Sequence, residues 1–321
     1  MKRKIFIFFC TCVMTFLFFL TYTSAEVRGA FSGHLIIVDG SIGDWIGVPP
    51  TKPNSSTVSQ GEYIWKDAEG DDTGNGRYTY PTNIAFGRAA DLQEFRVTWD
   101  SQNVYLLIRC SRPGDWWVPY RLIAIDQDGA KGGKGGSQVL AQGDVNLLGP
   151  DGGTVGELRV SPELAAEYVI GISSTFRGRI WDANGKLVAR TDGKRTDTEG
   201  FLVKDSNWSA IEVAIPQRII GNPSGKTWRF VVATGLEENG YLREVWRKSD
   251  EWHGGGGEDT GAEDGTDPDF YDLASPDRET QETELSSYKS LDPAGDTRSF
   301  ATIKKSYLPV TFSSIRFACA D

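Results

Sequence analysis

Histidine is almost missing from this 321-residue chain: there are two, His34 and His253. One lies in the apolar stretch HLIIV (34–38) and the other in a glycine run. No G-x-S-x-G elbow accompanies either, which sets a Ser-His-Asp hydrolase aside. Cysteine is equally sparse, at Cys10, Cys12, Cys110 and Cys319, and no two cysteines and histidines are spaced as a zinc cluster requires. The two methionines, Met1 and Met14, both fall within the first 25 residues, so a mature chain lacking that segment has no Met/His pair for haem. No phosphate-binding or dinucleotide glycine motif precedes a helix.

One long apolar run is present, Ile5 to Leu20, after the basic start Lys2-Arg3-Lys4 and before TYTSA (21–25). That layout is a secretory signal over residues 1–25, with cleavage expected after Ala25. The run is short for a bilayer span, so no membrane insertion is expected after cleavage. Loss of the three basic residues takes the formal net charge from −10 to −13. An acidic surface repels phosphate backbones, so nucleic acid is not expected as a partner, whereas a neutral glycan is compatible. Export places Cys110 and Cys319 in an oxidising compartment, where a bridge between them and two buried free thiols both remain open.

Residues 26–321 read as one large β domain. EFRVTW (94–99) and VYLLIRC (104–110) flank the turn DSQN. YRLIAID (120–126), EYVIGIS (167–173), GRIWD (178–182), KLVAR (186–190), SAIEVAIP (209–216), TWRFVVAT (227–234) and YLREVWR (241–247) continue the series, and HLIIV, SFATI and VTFSSIRFAC add candidates. Short strands punctuated by Gly, Asn and Asp predict an all-β fold: an antiparallel, jelly-roll-like β-sandwich with long acidic glycine-rich loops and few short helices. The helix signals are SPELAAEY (161–168), one turn in PQRIIG (216–221), and a surface helix in ETQETELSSY (279–288).

Acids and aromatics are what the chain has in quantity. DAEGDDTGNG (67–76) carries Asp67, Glu69, Asp71 and Asp72, and the stretch after the glycines at 254–257 carries Asp259 and Asp264. Calcium takes six to eight oxygen ligands, so both stretches are candidate calcium loops. The first is not an EF-hand, because its sixth position is Asp72 rather than Gly and its twelfth is Tyr78 rather than Glu. The chain holds ten tryptophans. Those in RVTW, SNWS and TWRF read as packing residues. Trp65, Trp116, Trp117 and Trp252, with Tyr78 and Tyr80, are candidates for stacking on sugar rings beside carboxylates that bind hydroxyls. Two of the loop acids, Asp71 and Asp259, would have to serve a glycosidase if the chain were one.

The block WKDAEGDDTGNGRYTYPTNIAFGRAADLQEFRVTWDSQNVYLLIR, together with IEVAIPQRIIG and EWHGGGG…DPDFYDLASP, resembles the glucodextranase C-terminal-like domain over residues 61–290. That domain is similar to DOMON-like and family-9-type carbohydrate-binding sandwiches, and DGSIGDWIG (39–47) shares the opening of the latter. The resemblance implies a β-sandwich and a secreted or cell-surface, non-catalytic role on a polysaccharide or cell-envelope glycan, with glucans foremost. It also implies a separate glycoside hydrolase as partner. A structural protein of the cell envelope is the alternative, and a glycoside hydrolase the second alternative.

Overall fold

The computed structural model describes residues 36–111, 114–115, 118–128, 158–173, 178–191, 199–206, 209–257, 268–287 and 301–315. The signal segment lies outside them. Residue contacts gather the described residues into one compact unit.

In chain order the strands are β1 (Ser55–Ser59), β2 (Glu62–Lys66), β3 (Leu92–Trp99), β4 (Asn103–Cys110), β5 (Pro119–Asp126), β6 (Leu158–Val160), β7 (Tyr168–Ile172), β8 (Gly178–Asp182), β9 (Leu187–Arg190), β10 (Glu199–Gly200), β11 (Leu202–Ser206), β12 (Ala210–Pro216), β13 (Thr227–Glu238), β14 (Tyr241–Leu242), β15 (Val245–Trp246), β16 (Gly254–Gly255), β17 (Phe270–Leu273), β18 (Ala301–Ile303) and β19 (Leu308–Thr311). Among the described residues two α-helices accompany them, α1 (Gln217–Ile220) and α2 (Arg278–Leu285).

A first sheet runs β1-β2-β3-β4-β12-β11, antiparallel throughout. A second runs β10-β9-β8-β7-β5-β13-β14, and β13 is long enough to pair its first half with β19 and its second half with β17. Parallel pairs occur at β9/β10, β15/β16 and β18/β6. The fold is an all-β sandwich, as the strand pattern predicts.

Alternation explains which residues go inside. Phe95, Val97 and Trp99 of β3 face Ile123 and Ile125 of β5 and Trp228, Phe230 and Val232 of β13 in one buried cluster. Phe95 and Phe230 meet with ring centroids 5.5 Å apart, and Phe312 closes the far end against Trp228 at 4.9 Å. The second sheet is covered on its other face too. There Tyr120, Leu122, Ala124, Val231 and Ala233 pack beneath β6, β18 and Leu285 of α2. Burial on both faces is why every residue of β5 is buried and why YRLIAID shows no polar alternation.

Several local expectations change. Residues 36–38 of HLIIV are not a strand: the segment 36–47 lies over the outer face of the first sheet, with Ile36 and Trp45 against Tyr105, Leu107, Ala210 and Ala214. In SPELAAEY only Pro162–Leu164 forms a 3-10 turn. YLREVWR splits into β14 and β15. The strand at VTFSSIRFAC stops at Thr311 and turns into a 3-10 helix, Phe312–Ser314. The helix in ETQETELSSY is present as α2, but it is not a surface helix, because Gln281, Glu284 and Leu285 are buried. Its start is capped by Asp277, which accepts the Thr280 N–H at 2.7 Å. Glu284 accepts the N–H groups of Lys304 and Lys305, each at 2.7 Å, and so ties the helix to the chain after β18.

Under the 36–47 segment a charged network is buried. Arg96 donates to Glu62 (2.6 Å), to Glu94 (2.8 Å) and to the Gly47 carbonyl (2.9 Å). Glu212 accepts from the Trp45 indole at 2.9 Å and from the Gly40 N–H at 2.8 Å. Removing the cation leaves Glu62 and Glu94 buried, with Arg109 at 3.5 Å from Glu94 as a remaining cation. Arg96→Ala is expected to cost about 3–5 kcal/mol in urea unfolding. A loss below about 1 kcal/mol would show that the network does not hold the segment in place.

Candidate functional site

The candidate region is built where the segment after β2 meets β17 and the glycine run. Residues 67–90 cross one end of the sandwich and are stitched down by backbone and ring contacts. The Gly74 N–H donates to the Tyr271 carbonyl at 2.8 Å. Thr79 and Gly255 exchange backbone hydrogen bonds of 2.8 and 3.0 Å. The Thr82 and Asn83 N–H groups reach the carbonyls of Asp250 (2.8 Å) and Glu251 (3.2 Å). Tyr78 and Tyr80 both pack on the Tyr271 ring, at centroid distances of 5.5 and 4.9 Å. The Tyr78 hydroxyl donates to the Pro268 carbonyl.

The glycine run is a close-packed strip rather than a solvated loop. Gly254, Gly255 and Gly257 are buried. A Cβ on Gly254 would fall 1.8 Å from the Tyr271 hydroxyl oxygen and 2.6 Å from the Thr79 carbonyl oxygen. Gly256 adopts φ +99°, and a Cβ there would meet the Arg77 carbonyl oxygen at 2.2 Å.

Inside this seam Asp67, Asp71 and Asp272 converge. Each offers a carboxylate oxygen, and these lie within 4.8 Å of one another. Asp67 and Asp71 are 4% and 5% exposed, and Asp272 is fully buried. The Trp65 indole donates to Asp67 Oδ1 at 2.7 Å, and Asp272 accepts the N–H groups of Leu92 (2.8 Å) and Leu273 (2.9 Å). Gln281 of α2 reaches in to the Asp71 carbonyl at 2.7 Å and accepts the Leu273 N–H at 2.8 Å. Asp91 stands alongside, accepting from Gly70 N–H (2.9 Å) and the Ser111 hydroxyl (2.6 Å). Burial first, then the neighbouring carboxylate charges, hold Asp67 and Asp272 well above the usual carboxylate range. Burial pushes Asp71 up to about 6.

The other acids expected in this role lie elsewhere. Asp72 is paired with Arg88 and accepts from the Tyr80 hydroxyl at 2.5 Å, so it fastens the segment internally. Glu69 is exposed. Asp259 and Asp264 lie outside the described residues, as do Trp116 and Trp117. Asp272 was hidden from sequence reading, and its signal is a lone carboxylate inside the buried strand FYDL.

The aromatic candidates divide. Trp65 belongs to the core between the sheets, and Tyr78 to a smaller core with Phe86 and Tyr271, so these two are packing residues. Tyr80 is half-buried, its hydroxyl engaged by Asp72 and by the Ala90 N–H at 3.1 Å. Trp252 is 43% exposed, with its ring edge-on to Phe86 at 6.3 Å. Asp250 Oδ1 presets that corner by accepting the N–H groups of Trp252 (2.7 Å) and His253 (2.6 Å). Beside it Trp246 and His253 stack at 3.6 Å and 7°, a pairing not foreseen from sequence. Cys110 is buried, while Cys319 lies outside the described residues, and with it the choice between a bridge and two free thiols.

With this geometry in hand the comparisons decide the family. The model of the C-terminal, SLH-like binding module of glucodextranase matches residues 63–121 and 154–304. The chain belongs to that family. No curated protein matches it. The matched ranges take in the three aspartates, the Tyr78–Tyr80 block, the glycine run and Trp252, while the 36–47 covering segment precedes them.

The close approach at the glycine run yields a direct expectation. Gly254→Ala should lift the 245–257 segment off Thr79 and Tyr271, costing about 1–3 kcal/mol by overpacking. Trypsin should then cut faster after the exposed Arg247 and Lys248. A variant with wild-type proteolysis and stability would show that the segment does not depend on this contact.

Proposed function

We propose that this chain is a non-catalytic carbohydrate-binding module working outside the cell or at its surface, and that it takes a neutral glucan across the corner carrying Trp252. The family supports a binding module. The apolar N-terminal run with its basic start supports export. Among the described residues no helix is long and apolar enough to cross a membrane.

One observation carries the reading: among the described residues Trp252 is the aromatic member of the exposed large hydrophobics, and it is held ready rather than loose. Its backbone is fixed by Asp250 and by Arg243, whose guanidinium donates to the Trp252 carbonyl at 3.1 Å. Arg243 in turn lies 5.1 Å over the Phe86 ring. A platform ordered before binding spares the ligand that ordering cost. The apolar C–H face of a hexose stacks on an indole, and its hydroxyls reach the neighbouring carboxylates of Asp250 and Glu251. Ile84, 91% exposed on the segment that bonds to Asp250 and Glu251, widens the apolar surface.

The acids of the 67–76 loop support binding without hydrolysis. Asp67 and Asp71 are buried in the seam, and Asp72 is paired with Arg88. A glycosidase needs its two carboxyl groups on either side of an accessible sugar, about 5 to 9.5 Å apart.

Affinity electrophoresis through soluble α- and β-glucans tests the proposal. The wild-type chain should be retarded by at least one neutral glucan without releasing sugars. Trp252→Ala should bind about tenfold or more weakly, a change of about 1.4 kcal/mol, with an unaltered melting temperature. Migration unaffected by every glucan would overturn the reading, and so would equal retardation of the variant.

A further inference from the structure

We propose that Asp67, Asp71 and Asp272 form a calcium site that clamps the segment after β2 onto β17. The ligand set is three carboxylates from two distant parts of the chain, with oxygens within 4.8 Å of one another. Calcium–oxygen distances of about 2.3–2.6 Å place oxygens on opposite sides of one ion about 4.6–5.2 Å apart, so a single calcium fits among all three.

A second observation points to a ligand. Asp67 Oδ2 and Asp71 Oδ1 are fully buried and have no hydrogen-bond partner. A buried, unpartnered carboxylate oxygen costs several kcal/mol unless a cation meets it. The two cations that act on Asp71, Arg88 and Arg278, are each engaged by another carboxylate. Arg88 is paired with Asp72 and lies 3.8 Å from Asp91, and Arg278 binds Glu282 at 2.7 Å.

The remaining oxygens are held as metal ligands commonly are, by outer donors that orient them. The Trp65 indole fixes Asp67, and the Leu92 and Leu273 N–H groups fix Asp272. Backbone at Gly70, with φ +91°, lets Asp67 and Asp71 turn toward the same point. A second acidic group, Asp126, Asp128 and Glu167, has no such claim, because Asp126 is already paired with Arg229. All-oxygen ligation without histidine or cysteine suits a hard cation.

The competing account is that protons, not a metal, neutralise the cluster. The full chain, stripped with EDTA and dialysed, separates the two. Calcium at millimolar concentration should raise the melting temperature by several degrees, and titration calorimetry should give one ion per chain. Terbium bound in its place should emit on excitation of tryptophan, since the Trp65 indole nitrogen lies 2.7 Å from Asp67 Oδ1. Asp71→Asn should weaken calcium at least tenfold and abolish that emission. In EDTA the same variant should melt no lower than wild type, because one like charge has gone. A melting temperature indifferent to calcium would overturn the proposal in favour of protons. Equal calcium binding by Asp71→Asn would overturn it in favour of acids elsewhere. Neither readout involves a glycan, so the result is independent of the ligand of Trp252.

Discussion

A carboxylate taken out of water must be met by donors or by a cation, and that constraint organises the functional end of this protein. Asp272 sits in a strand whose other residues, Phe270, Tyr271 and Leu273, belong to the core. It is tolerable there because the Leu92 and Leu273 N–H groups point at it. Leu92 begins β3, so the bond from its N–H joins the first sheet to β17 at the edge of the second. Asp67 and Asp71 approach the same point from the end of β2. The seam between the sheets is therefore closed at this end by polar groups, while at the other end Phe312 closes it with apolar contact. Polar closure is directional and apolar closure is not. Only the former can set the path of a segment as long as 67–90, whose ordering costs roughly 1–2 kcal/mol per residue in backbone entropy.

From that seam the consequences run outward in steps. The Tyr271 ring receives Tyr78 and Tyr80, and its hydroxyl reaches the Thr79 carbonyl at 3.3 Å. Thr79 pairs with Gly255, which draws the glycine run down onto the tyrosines. Each glycine that replaces a larger residue there removes a side chain that would hold the two backbones apart. The run ends at His253 and Trp252, so the exposed indole is positioned by contacts that begin at a buried aspartate. Acids shape this end, glycines let it close, and among the described residues Trp252 is the large aromatic left facing outward.

How far this was legible follows from the range of the interactions. β3, β4, β5, β12 and β13 are readable because alternation or a continuous apolar run is a local property. The turn between β3 and β4 is equally local, since Asp100 Oδ1 accepts the N–H groups of Gln102 and Asn103, both at 2.7 Å. β1, with the sequence SSTVS, shows no apolar alternation, and it is a strand only because β2 offers it an edge. α2 reads as a surface helix because its buried face is made of Gln281 and Glu284, whose partners lie in other elements. Trp65 and Tyr78 sit beside acidic residues in sequence and look like binding aromatics. Their direction depends on which sheet covers them, and spacing does not carry that. Asp67 and Asp71 are visible as a pair, but the third aspartate lies some 200 residues on, and nothing local links it to them.

The surface charge narrows what the exposed corner can hold. A chain of net charge −10 carries a field that disfavours anionic polymers before any contact is made. Around Trp252 the near residues Asp250 and Glu251 add to that field locally, while Arg243 is spent on the Trp252 carbonyl and the Phe86 ring. Uronate and sulfated glycans would bring like charge to Asp250 and Glu251 at this corner. A neutral hexose polymer would meet no such penalty, since in the proposed mode its hydroxyls would donate to the carboxylates and its C–H face would cover the indole. The same carboxylates that would repel an acidic polysaccharide would thus serve as acceptors for a neutral one, and on the proposed reading selectivity at this corner would follow from charge rather than from the shape of a cleft.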